Sequence, residues 1–98
     1  MEKLKGKQRK YLRGLAHNLD PVVMVGHEGL TDKVIKAIKT TLDDHELIKI
    51  KFTKFKEEKK ELSSQIEEAT DSEMVGMIGN TAIFYRMNPD EEKRKIKI

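Results

Sequence analysis

The spacing of apolar positions changes along the chain, and each change marks a boundary between elements. From Leu4 the row Leu4, Gln8, Tyr11, Leu12 and Leu15 recurs at three and four residues, the stripe of an amphipathic helix. Asn18, Asp20 and Pro21 break it, and the run Val22, Val23, Met24, Val25 reads as a short buried strand that stops at Gly26. Thr31 is a good N-cap with Asp32 in the first turn, and Val34, Ile35, Ala37, Ile38 and Leu42 give a second helix its inward face. Past His45 the period falls to two: Ile48, Ile50 and Phe52 alternate with Lys49 and Lys51, which predicts a strand with one covered and one wet face. Residues 56–69 return to helical spacing through Leu62, Ile66 and Ala69. Residues 74–78 and 81–86 read as two short strands joined by Gly79 and Asn80, a pair that favours a tight two-residue hairpin.

The predicted order is α-β-α-β-α-β-β. Strands separated by a helix should lie parallel, the closing hairpin adds an antiparallel element, and helices must cover the apolar face of so small a sheet. An α/β fold, a two-layer sandwich, is the expected architecture. A length of 98 residues suits one domain. It is placed at residues 1–87, with residues 88–98, which hold no stable period, expected as a flexible charged tail.

Composition narrows the function classes. With no cysteine, neither disulfides nor thiolate metal sites are open to the chain, and no apolar run approaches the roughly 20 residues of a membrane helix. The charged start lacks a secretory pattern, so a cytoplasmic location is expected, with no membrane partner. Twenty Lys and Arg against 17 Asp and Glu leave a formal charge of only +3, but the charges are segregated. Lys3, Lys5, Lys7, Arg9, Lys10 and Arg13 stand against Glu2 alone near the start, whereas residues 56–73 are predominantly acidic. A positive end of this kind is the electrostatic footprint of a phosphate-bearing partner. Catalysis has little to draw on. His17, His27 and His45 share no metal-ligand spacing, no Ser stands in a nucleophile context, and no Gly-Lys-Ser/Thr ending marks a nucleotide loop, so no cofactor, metal or small-molecule substrate is expected. The five aromatic residues offer no paired platform for stacking bases, which favours recognition of backbone and shape.

The sharpest local feature is a strand running into Gly26-His27-Glu28-Gly29 and then into a capped helix, which presents backbone N–H groups and a helix dipole to an anion. The blocks Lys7-Gln8-Arg9-Lys10-Tyr11-Leu12-Arg13-Gly14-Leu15-Ala16-His17, Pro21-Val22-Val23, Gly26 to Thr31, His45-Glu46-Leu47-Ile48-Lys49-Ile50 and Ile78-Gly79-Asn80-Thr81-Ala82-Ile83-Phe84-Tyr85-Arg86 together resemble the CRM domain family of YhbY-like proteins. The resemblance spans residues 4–86.

It implies an RNA-binding module similar in fold to the C-terminal domain of translation initiation factor three, with a four-stranded mixed sheet of order 1-2-4-3 whose last strand is antiparallel. It further implies structured RNA as partner, specifically precursor large-subunit ribosomal RNA, and a role in ribosome assembly among ribosomal proteins. Carried over by position, Gly26, His27, Glu28 and Gly29 match the family's RNA-contacting loop and Lys5, Lys7, Arg9, Lys10 and Arg13 its basic first helix. Many relatives place a basic or neutral residue inside this loop, whereas Glu28 puts a negative charge where phosphate would approach. Thr31, Lys33 and Lys36 on the following helix complete the candidate set, the lysines supplying compensating charge. The rival expectation is a non-catalytic module that docks on a ribosomal or assembly protein through its acidic third helix.

Overall fold

The computed structural model describes residues 2–98, and the chain forms α1 (Gly6–Ala16), β1 (Pro21–Val25), α2 (Asp32–His45), β2 (Leu47–Phe52), α3 (Lys59–Thr70), β3 (Glu73–Ile78) and β4 (Thr81–Tyr85). Thr31 caps α2 as its position predicts, its hydroxyl accepting the Val34 N–H at 3.1 Å. The third helix starts later than its periodicity suggests. Phe55 sits in the left-handed region at φ 55°, so the chain enters through a separate 3-10 turn, Lys56–Glu58.

The sheet has the order β1-β2-β4-β3. Strand β1 runs parallel to β2, with Val23 opposite Ile50 and Val25 opposite Phe52, and β4 runs antiparallel to both of its neighbours. This is the expected mixed α/β sheet. Because side chains alternate across a strand, β4 divides its residues between two cores. Ala82 and Phe84 join Val23, Val25, Ile48, Ile50 and Phe52 beneath Ile38 and Leu42 of α2 and Ile66 of α3. Ile83 and Tyr85 face the other way, against Leu12 and Ala16 of α1. The expected sandwich is therefore formed by the sheet with α2 and α3, and α1 adds a partial cover on the opposite face. That cover stops short of β1, where Val22 and Met24 remain half exposed, and of Ile78 at the end of β3.

The segment 88–98, expected as a loose tail, is instead held against the domain. Asn88 is buried and Ile96 packs on the α1 core. The physical reason lies in Glu46, the residue after α2, which is 1% exposed and whose carboxylate accepts the N–H groups of Asn88, Lys95 and Ile96 at 2.7, 2.6 and 3.2 Å. A buried carboxylate needs such donors, and this segment supplies them.

Candidate functional site

The end of β1 and the start of α2 build the glycine loop from backbone alone. The Gly29 N–H donates to the Gly26 carbonyl at 2.9 Å, closing a turn over the exposed His27 and Glu28, and the Thr31 N–H returns to the Gly29 carbonyl at 3.2 Å. Gly29 lies at φ 72°, which a side chain would strain. Gly26 is different: a Cβ there would meet only the Thr53 hydroxyl, at an ordinary 3.9 Å. Among the described residues the N–H groups of His27, Glu28 and Leu30 find no acceptor within the protein. The first turn of α2, with its own unsatisfied N–H groups, follows at once. Three free donors thus lie within four residues of each other next to a helix N-terminus, a setting that suits a phosphate oxygen.

Lysines gather around this end of the sheet. Lys33 and Lys36 of α2 are exposed, as expected of residues facing solvent beside the loop. The segment after β2 brings more, because the N–H groups of Thr53 and Lys54 donate to the Val25 carbonyl at 3.0 and 3.3 Å, which sets Lys54 beside Gly26. Lys51, opposite Met24 in the register, is also exposed on the uncovered part of the sheet. Neither lysine belongs to the candidate set read from the sequence. The alternation of β2 marks Lys51 as outward-facing, but only the pairing with β1 shows that it neighbours the glycine loop. Lys59 is not free, since its ammonium donates to the Gly79 carbonyl at 2.7 Å and to Asn80 Oδ1 at 3.1 Å, tying α3 to the hairpin.

The basic row of α1 divides into two groups. Lys5, Lys7 and Lys10 are exposed with no ionic partner among the described residues. Arg9 and Arg13 turn toward β3, whose pairing with β4 is irregular between Met74 and Gly76. Arg9 forms an ion pair with the largely buried Glu73 and donates to the Met74 carbonyl at 3.1 Å, and Arg13 donates to the Val75 carbonyl at 2.9 Å. A bulge leaves the ladder locally disrupted, and the two guanidiniums satisfy carbonyls at that point. Gly76 accommodates the stem of Arg13, since a Cβ at 76 would lie 2.7 Å from its Cδ. The same two residues that look like phosphate ligands in the sequence therefore fasten α1 to the sheet. The loop and the free lysines of α1 do not form one contiguous pocket; the uncovered strip of sheet bearing Val22, Met24 and Lys51 separates them.

A small mixed α/β domain with a donor-lined glycine loop, a lysine-rich rim and a basic helix laid across its sheet defines a class of polyanion-facing modules. The chain belongs to the CRS1/YhbY (CRM) domain family, whose model matches residues 4–86. A Haemophilus influenzae protein named "RNA-binding protein" is 42% identical over 95 residues, covering 96% of this chain and 94% of its own. The Bacillus subtilis "Probable RNA-binding protein YqeI" is 34% identical over 91 residues, covering 92% and 95% respectively. The solution structure of the Staphylococcus aureus protein SAV1595 superposes with a TM-score of 0.81 at 40% identity, across 97% of this chain and all of that one.

Proposed function

We propose that this protein binds structured RNA by its phosphate backbone, using the Gly26–Gly29 loop as a phosphate seat and the exposed lysines Lys5, Lys7 and Lys10 of α1 with Lys33, Lys36, Lys51 and Lys54 as the surrounding field. The observation that carries the reading is the set of unpaired N–H groups at His27, Glu28 and Leu30 beside the start of α2. The names of the relatives support RNA as the polyanion and binding rather than catalysis as the role. The RNA we assign is precursor large-subunit ribosomal RNA, met in the cytoplasm during subunit assembly, in the company of ribosomal proteins. Glu28 does not oppose this arrangement strongly, because an exposed charge contact is worth less than about 1 kcal/mol and salt weakens it further.

Phosphate contacts position an RNA without reading its sequence, so affinity should fall with salt by a power of about 0.7 to 0.9 per phosphate neutralised. Filter binding of labelled RNA hairpins across a salt series should show this slope. Replacing Lys7 and Lys10 with Gln should lower affinity for unrelated hairpins alike while circular dichroism stays unchanged. A flat salt response, or full affinity in the double variant together with a loop variant, would overturn the reading. Crosslinking in cells followed by sequencing of the attached RNA identifies the target, and recovery of only messenger RNA would remove the ribosomal assignment.

A further inference from the structure

The most heavily committed side chain outside the loop is Glu46. It follows α2 in an unusual backbone conformation, φ 62° and ψ −42°, with its N–H donating to the Leu42 carbonyl and its own carbonyl accepting the Arg86 N–H, both at 2.9 Å. This twist turns the carboxylate inward. There it accepts three backbone N–H groups, one from Asn88 and two from Lys95 and Ile96, so the two ends of the C-terminal segment are gathered onto a single group. Between them the chain makes a compact excursion. The Asn88 side chain accepts the Asp90 N–H at 2.9 Å, the Asp90 side chain accepts the Glu92 N–H at 3.0 Å, and Arg94 Nε returns to the Asn88 carbonyl at 2.8 Å.

What this anchoring delivers is a second row of charge. Ile96, partly buried, packs against the core under α1 that contains Leu12 and Leu47. Arg94 leaves the 3-10 turn Glu91–Lys93 in an extended conformation, and in an extended chain the neighbours of an inward residue point outward. Lys95 and Lys97 are accordingly exposed. Lys97 and Ile98 border the same surface groove as Lys7, Gln8 and Tyr11 of α1. Tyr11 is half exposed between the two strings of residues. Lys7, Lys10, Lys95 and Lys97 have no ionic partner among the described residues, and residues 93–98 contain no acidic side chain. A helix alone offers phosphate one row of lysines; the segment brings Lys97 to the groove that Lys7 borders, with Lys10 and Lys95 exposed on the same two elements.

We propose that residues 95–98, held in place by Glu46, form with α1 a two-sided cationic groove for an RNA backbone, and that Glu46 is a positioning residue for RNA binding although it touches no RNA. The inference rests on the RNA reading of α1 and deepens it by adding a second wall to that surface. It distinguishes a docked wall from a loose basic tail, since only the former needs Glu46 and Ile96.

One fluorescently labelled RNA hairpin, titrated over a salt series, serves for every variant of the full chain. Lys95→Gln with Lys97→Gln should weaken binding severalfold at low salt and make the log affinity against log salt slope shallower by about 1.4 to 1.8, the value for two phosphates. Glu46→Ala should reproduce both changes, and adding it to the two lysine substitutions should cost no further affinity. Ile96→Asn releases the segment without touching the buried carboxylate or changing the charge of the tail, and should give the same result if Glu46→Ala does not fold. Lys60→Gln on the far side of the molecule serves as the control. If the two tail lysines matter but Glu46→Ala and Ile96→Asn bind with full affinity and full slope, the lysines act from an undocked tail and the inference is overturned. If Lys95→Gln with Lys97→Gln binds normally while Lys7→Gln with Lys10→Gln is weakened, the second wall is wrong and the reading of α1 stands. If neither pair moves the affinity, the reading of α1 falls and this inference with it.

Discussion

Single residues separate what the fold needs from what a ligand would need. Gly29 is demanded by its own backbone, and Gly29→Ala should lower stability by about 1 kcal/mol, read as a fall in Tm. Gly26 has room for a methyl group, so Gly26→Ala should leave Tm within a degree or two, and on the proposed reading it should weaken RNA binding by crowding the approach to the loop. Equal binding by Gly26→Ala and the natural chain would mean that nothing approaches the loop closely. Glu28→Gln should tighten binding up to severalfold at low salt, and the gain should shrink as salt is raised. Tyr85 records a different constraint. Its ring is fully buried and its hydroxyl has no hydrogen-bond partner, while burial first and the Glu46 carboxylate second push its pKa up to about 12, against an opposing pull from Arg94. The unfolded chain would ionise this phenol near 10, so the stability held below that pH is lost as pH climbs from 10 toward 12. Tyr85→Phe should gain about 1 kcal/mol at neutral pH by removing an unpaired buried hydroxyl, and denaturant titrations above pH 10 should show a shallower alkaline loss.

At the scale of elements, α1 holds one charge type in two settings, Arg9 and Arg13 against β3 and Lys7 and Lys10 in solvent. Arg13→Gln should cost about 1 to 2 kcal/mol of stability, since it leaves the Val75 carbonyl without its guanidinium, whereas Lys10→Gln should cost almost none. RNA affinity per folded molecule should respond in the opposite sense, falling for Lys10→Gln more than for Arg13→Gln. Chemical denaturation and hairpin titration on both variants check this. The difference could not be read from the chain alone. Arg9, Lys10 and Arg13 share one sign in one helix, and what distinguishes them is the irregular stretch of β3 some sixty residues away. The elements themselves were legible because their signals are local: a hydroxyl at Thr31 for the α2 cap, alternation from Ile48 to Phe52 for β2, a Gly-Asn pair for the hairpin. The loop was legible for the same reason, since its turn is written in four consecutive residues.

The molecule as a whole shows where locality ends. Residues 88–98 have no period because their order comes from one distant carboxylate, and Glu46 looks in the sequence like any other acidic residue at the end of a helix. Lys51 and Lys54 were invisible as neighbours of Gly26 for a similar reason, as only the β1–β2 register brings them there. The strand order carries a further consequence, for the chain during its synthesis. The central position between β2 and β3 belongs to β4, which leaves the ribosome last of the four. Until residue 85 has emerged, β3 has no partner and the Phe52 and Val75 sides of the sheet have no common wall; β4 then pairs with β3 as a local hairpin and with β2 across some thirty residues or more, and the second pairing is the long-range step that closes the sheet. With a linker long enough to clear the ribosome, a nascent chain exposing residues 1–80 should be digested readily by protease, and one exposing residues 1–98 should be resistant. The β1–β2 half of the sheet would thus wait with an open edge until the β3–β4 hairpin, the last piece of the sheet to be made, docks on β2.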